Sequence, residues 1–181
     1  MSKRWGILAG GLALLGVAFA HAEAPKKAIC PVRGAKFEVK ASSPFINVNG
    51  KPVYFCCPGC PAAFAKNPEK YLAAAKVDVG KCPVEKGAIK KLDPNLRAIV
   101  NNELFYFCCA GCPEAFAKAP QKYVQQLADP VSGKKFKPTA QSPRSTVGKQ
   151  LFLFQNASCK AAFDEEPAKF TKLSEPKPAS R

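Results

Sequence analysis

The sequence predicts an α+β fold of three tandem small modules, each a β-hairpin followed by short helices. Three observations predict it. The chain repeats itself in constant register, and every repeat passes from strand-like to helix-like patterning. The nine cysteines also divide among the repeats as clusters of four, four and one.

Cys30-Pro31-Val32, Cys82-Pro83-Val84 and Asp129-Pro130-Val131 open the repeats. From these starts, Val48, Val100 and Val147 coincide without a gap, as do Phe55, Phe107 and Phe154. Phe64, Phe116 and Phe163 follow, then Pro68, Pro120 and Pro167, then Tyr71, Tyr123 and Phe170. A register held through three copies marks related units. It sets a first module at 29–76, a second at 81–127 and a third at 128–173. Residues 174–181, with Pro176 and Pro178, read as a disordered tail. Ala73 to Lys81 and Leu127-Ala128 read as the connectors.

Within a module, Lys36 to Lys40 alternates and reads as a strand. Phe45 to Val48 and Lys51 to Phe55 flank Asn49-Gly50, which supplies the positive φ of a tight hairpin turn. Asn101-Asn102 and Gly148-Lys149 replace that dipeptide in the later copies. Cys60 to Lys66 then carries Cys60, Ala63 and Phe64 on one helical face. Asn67-Pro68 restarts a helix, with Asn as cap and Pro in the first turn. Phe55, Phe64 and Tyr71 read as core. A unit of roughly 45 residues is marginal on apolar burial alone and needs a staple.

Composition narrows the function. Lys3 and Arg4 precede the apolar run Trp5 to Ala20, which ends in Ala18-Phe19-Ala20 and Ala20-His21-Ala22. That order reads as a signal peptide over 1–22, cleaved after Ala20 or Ala22, and directs the protein to the periplasm or outside. A run of about 16 apolar residues is short for a span, so no membrane span is expected after cleavage. The mature chain loses His21, its one histidine, which removes His-based catalysis and mixed Cys/His metal sites. Loss of Lys3 and Arg4 takes the formal charge from +15 to +13. The remaining lysines are dispersed, as on a solvated exterior, and no nucleic acid is expected as partner.

The chemistry concentrates in Tyr54-Phe55-Cys56-Cys57-Pro58-Gly59-Cys60 and its copy Tyr106-Phe107-Cys108-Cys109-Ala110-Gly111-Cys112. A helix starting at Cys56 would align Cys56 with Cys60, and Cys57 with Cys60 at the alternative spacing. Cys30 approaches from the opening segment. The candidate ligands are therefore Cys30, Cys56, Cys57 and Cys60 in the first module, and Cys82, Cys108, Cys109 and Cys112 in the second. Thiolates select Zn(II), Cu(I) and heavier soft ions, about two per chain. The helix start and Lys51, Lys66 and Lys70 are expected to favour the thiolates. The third module has Asp129, Gln155 and Asn156 in place of thiols and keeps Cys159, so no metal is expected there.

Phe-Cys-x-x-x-Cys, followed by Phe64 and then by Pro68-Glu69-Lys70-Tyr71, resembles the YHS domain of the TRASH-like metal-binding group. The resemblance covers 30–72 and 82–124 well, and 129–171 in degenerate form. It implies treble-clef-like modules that handle heavy metals, and it carries the family's Cys-x-x-x-Cys pair onto Cys56 and Cys60, and onto Cys108 and Cys112. Cys57 and Cys109 stand where many members have Ser. The name-giving Tyr-His-Ser is not matched, and Cys30 and Cys82 stand where the family often has Asp.

These features favour an exported, non-enzymatic protein that holds thiophilic metal for buffering, delivery or resistance. Its expected partners are the metal ion and a membrane metal transporter or envelope protein. Two alternatives stand beside that reading. One is a thiol-disulfide redox protein, since Cys57-Pro58-Gly59-Cys60 is a C-x-x-C at a helix start. The other is a disulfide-stapled interaction module, since exported proteins meet oxidants.

Overall fold

The structure, a computed structural model, describes residues 25–171 and 173. The segments expected as a signal peptide, 1–22, and as a disordered tail, 174–181, lie outside the described residues. The described chain is mixed α and β, with small sheets and short helices.

The same order of elements occurs three times. In the first repeat, β1 (Lys27–Ile29) pairs antiparallel with β2 (Lys36–Glu38), and β3 (Phe45–Val48) pairs with β4 (Lys51–Tyr54). Helices α1 (Gly59–Lys66) and α2 (Pro68–Ala74) follow. In the second repeat the opening pair shrinks to a single bridge between Lys81 and Ala88. Strands β5 (Arg97–Val100) and β6 (Glu103–Tyr106) come next, then α3 (Gly111–Lys118) and a 3-10 turn at Pro120–Lys122. The third repeat has β7 (Leu127–Ala128), β8 (Lys135–Phe136), β9 (Arg144–Val147), β10 (Gln150–Leu153), α4 (Ala157–Glu165) and α5 (Pro167–Phe170).

Two expectations change. Leu127-Ala128 is not a connector: it pairs with Lys135 and Phe136, as β1 pairs with β2. The helix expected over Cys60 to Lys66 is present as α1, Gly59–Lys66, but it does not reach back to Cys56, because the chain first bends through Cys56, Cys57 and Pro58.

The three long hairpins fuse into one six-stranded sheet, ordered β4-β3-β6-β5-β10-β9. Strands within a hairpin are antiparallel, whereas neighbouring hairpins meet in parallel, β3 with β6 and β5 with β10. Turn asparagines hold both junctions. Asn49 donates its backbone N–H to Leu104 and its Nδ2 to the Tyr106 carbonyl, while its Oδ1 accepts from the Tyr106 N–H. Asn101 repeats this on Leu151 and Leu153. The turns position these side chains through left-handed φ values of 47° at Asn49 and 49° at Asn101, which Asn tolerates. Gly148 occupies the equivalent place in the third turn, φ 59°, and carries no side chain to hold a further repeat. At the opposite edge, β4 contains Pro52, which has no N–H to offer another strand.

Each repeat packs its own aromatic triad. Phe55, Phe64 and Tyr71 pack in sequence, as do Phe107, Phe116 and Tyr123, and Phe154, Phe163 and Phe170, the first pair of each steeply inclined and the second stacked. The first core also takes Leu104 and Tyr106 from β6, and the second takes Leu153 from β10. Small units thus gain from their neighbours the apolar burial that each lacks alone.

Candidate metal centre

Each thiol group is assembled from two backbone turns. At the opening turn, Cys30 donates its N–H to the Ala35 carbonyl at 2.9 Å, and the Gly34 N–H returns to the Cys30 carbonyl at 2.8 Å. Cys82 makes the same ring with Gly87 and Lys86, and Asp129 makes it with Lys134 and Gly133. Reversal requires a left-handed residue, supplied by Gly34 and Gly133 and, in the second repeat, by Lys86 at φ 58°. The second turn is the bend after the hairpin. There Phe55 is fully buried, Cys56 and Cys57 occupy the bend, and Cys60 sits in the first turn of α1.

Cys30, Cys56 and Cys60 place their sulfurs within 4.8 Å of one another, and Cys82, Cys108 and Cys112 do the same. Cys30, Cys60, Cys82 and Cys112 are buried, whereas Cys56 and Cys108 reach the surface in part. Three sulfurs this close can meet one soft ion, so the chain carries two groups with the chemistry of a thiolate metal site. Cys57 and Cys109 stand beside these groups. Each Sγ lies 3.2 Å from the helix cysteine, Cys60 or Cys112, outside the three-sulfur group.

The sulfurs differ electrically. Burial opposes ionisation of Cys30, but the backbone N–H groups of Cys56, Arg33 and Val32 face its sulfur, and its pKa falls below the ordinary thiol value. Cys82 is lowered in the same way, by Glu85, Cys108 and Val84 against its burial. Cys57 is lowered by the hydrogen bond from Cys60, by the N–H groups of Cys60 and Gly59, and by the Arg33 charge. Cys60 is pushed well up by burial and by its neighbouring sulfurs, and Cys112 likewise. Burial, then Cys30, raises Cys56. The expected help from lysine is not what the thiols receive. Lys51 is paired with Asp78 at 2.6 Å and Lys70 lies over the Tyr71 ring, while Arg33 is the cation acting on Cys57.

The third repeat fills the same space with hydrogen bonds. Asp129 is 1% exposed, and its Oδ1 accepts from the N–H groups of Val131 and Ser132 at 3.0 and 2.9 Å. Its Oδ2 accepts from the Gln155 N–H at 2.9 Å. These are the positions whose N–H groups face Cys30 and Cys82. Gln155 then spans the remaining gap, donating Nε2 to Ser132 Oγ at 3.0 Å and to Cys159 Sγ at 3.4 Å. Cys159 is buried inside this network.

The sequence does not show the N–H cradle, the action of Arg33 on Cys57, or the junction role of the turn residues Asn49 and Asn101. One signal is available: Asp-Pro-Val-Ser-Gly stands in register with Cys-Pro-Val-Arg-Gly, placing a carboxyl group where the first repeat has a thiol. No family model matches the chain, and no curated protein or solved structure matches it. Among the described residues, no helix is long and apolar enough to cross a membrane.

Proposed function

We propose that this chain is an exported YHS-like protein of three treble-clef-like modules that holds one thiophilic ion, Zn(II) or Cu(I), in each of its first two modules. Its role is metal buffering, delivery or resistance, without catalytic turnover, in exchange with a membrane transporter or envelope protein. The observation that carries this reading is the pair of three-sulfur groups built at matching positions. Each group has one sulfur, Cys30 or Cys82, whose thiolate is favoured by backbone N–H groups before any ion arrives.

Reduced mature protein, loaded without oxygen, should take up about two equivalents of Zn(II) or Cu(I), one per three-sulfur group. The Cys56→Ser/Cys60→Ser/Cys108→Ser/Cys112→Ser variant should take up none at these sites. Equal uptake by variant and parent would sink the assignment. The 3.2 Å approach of Cys57 and Cys60 favours a second reading, thiol-disulfide exchange. Thiol titration of protein taken from the envelope separates the two. Thiols released by chelator support metal holding, and thiols released by reductant alone support disulfides.

A further inference from the structure

Cys57 and Cys109 have no place in the three-sulfur groups, yet both modules that carry such a group keep the additional thiol in the same position. The third module has no such group and puts Asn156 there, where its Oδ1 caps α4 by accepting from the Cys159 N–H at 2.8 Å. Capping alone therefore does not require sulfur at this position. The thiol accompanies the sulfur group, and asparagine accompanies its loss.

Position explains what the additional thiol can do. Cys30 and Cys82 are 0% exposed, and Cys60 and Cys112 are 3% and 2% exposed, so within each group an incoming ligand meets only the partly exposed Cys56 or Cys108. Cys57 is partly exposed and Cys109 is exposed. Each stands in contact with its buried helix cysteine, at 3.2 Å. In the first module Cys56 and Cys57 also line one open cleft of about 680 Å³, together with Lys40, Ser42 and Ser43.

We infer that Cys57 and Cys109 are transfer thiols, which receive a soft metal ion from an incoming thiolate complex and pass it to the buried three-sulfur group. This rests on the metal-holding function proposed above and names how the ion enters and leaves. The sulfur of Cys57 forms a bond to the ion as one bond to the carrier thiolate breaks, and the carrier sulfur leaves with its electron pair. The Cys57 proton passes to that departing thiolate; Cys60, Cys56 and Cys30 then bond to the ion in turn, their protons passing to the second carrier thiolate or to water, and the Cys57 sulfur is released and takes up a proton. No atom changes oxidation state, and release runs the same steps backwards.

The test uses the Cys57→Asn/Cys109→Asn variant, which borrows the residue that already caps α4, with Cys56→Ser/Cys108→Ser as comparison. Cu(I) held by excess glutathione is mixed with each reduced protein by stopped flow, and Cu(I)–thiolate absorbance is followed. Equilibrium partition is measured separately against bicinchoninate, and circular dichroism checks that each variant is folded. The asparagine variant should keep the parent's stoichiometry and partition within about threefold, while loading and removal slow by about tenfold or more. The serine variant should lose affinity instead. Parent uptake with unchanged rates in the asparagine variant overturns the transfer role alone. So does a loss of affinity as large as that of the serine variant, which would make Cys57 and Cys109 ligands. A parent protein that takes up no Cu(I) overturns Cu(I) holding, and this inference with it.

Discussion

The first two repeats and the third share one backbone and solve the same problem with different chemistry. In all three, an anionic or ionisable group follows the opening strand and faces N–H groups from its own turn and from the bend after the hairpin. The group is Cys30, Cys82 or Asp129. Where it is cysteine, two further sulfurs gather around it. Where it is aspartate, Gln155 reaches across and ties Ser132 and Cys159 together. The cradle is common to all three repeats, while the three-sulfur group occurs in the first two. A module of this size needs a crosslink between its opening turn and its helix, and a hydrogen-bonded amide provides one where an ion does not.

The most direct way to break the comparison is to convert the third repeat. Asp129→Cys with Gln155→Cys would join Cys159 in a three-sulfur group at the positions of Cys30, Cys56 and Cys60. Since the backbone N–H groups are already in place, the double variant should bind one further equivalent of Cu(I) or Zn(II) over the parent. Metal analysis after gel filtration reads this directly. Unchanged stoichiometry would show that matching turns are insufficient to build a site.

A second difference separates the middle repeat from both others. Glu103 is 8% exposed at a position occupied by Lys51 in the first repeat and Gln150 in the third. Burial pushes its pKa up to about 7, against favourable contacts with the Asn47 side chain, the Ala128 N–H and the Lys135 charge. Folded protein therefore retains a proton that the unfolded chain releases near 4.5. The associated cost is absent below the lower value, grows as pH rises towards 7, and levels off above it at about 3 kcal/mol. Glu103→Gln should thus be stabilised relative to the parent by about that amount at pH 8, and the gain should shrink towards pH 4. Urea denaturation of the reduced apo-protein across this range checks it. A difference independent of pH would show that Glu103 titrates normally.

Local chemistry was legible in the sequence. Asn49-Gly50 turns the first hairpin, Asn67 caps α2 through the Lys70 N–H at 3.2 Å, and the aromatic residues in register form the cores. The union of the hairpins into one sheet was not legible. It depends on strand edges and on side-chain amides of Asn49 and Asn101, whose partners stand in the next repeat and leave no periodic trace. A helix from Cys56 would bring three or four thiolates to one point. The bend ahead of Gly59 directs Cys56 towards Cys30 and leaves Cys57 to the side, and only tertiary structure sets that direction.

The smallest test concerns the second helix of each repeat. Asn67 caps α2, which runs seven residues, whereas Ala119 offers no side-chain acceptor and is followed by a three-residue 3-10 turn. Asn67→Ala should cost about 1 kcal/mol by leaving the Lys70 N–H without its acceptor. The reverse change is not symmetrical. After Leu72 the chain has until Lys81 to reach its next strand-like bridge, but after Val124 it must enter β7 at Leu127. A seven-residue helix from Pro120 would end at Gln126 and leave no residue to turn into that strand, so Ala119→Asn can secure the first turn and no more. Its gain should be about 0.5 kcal/mol, half the loss from Asn67→Ala. Equal and opposite effects in thermal unfolding would show that the cap alone sets helix length. A smaller gain at 119 assigns part of that control to the short path into β7.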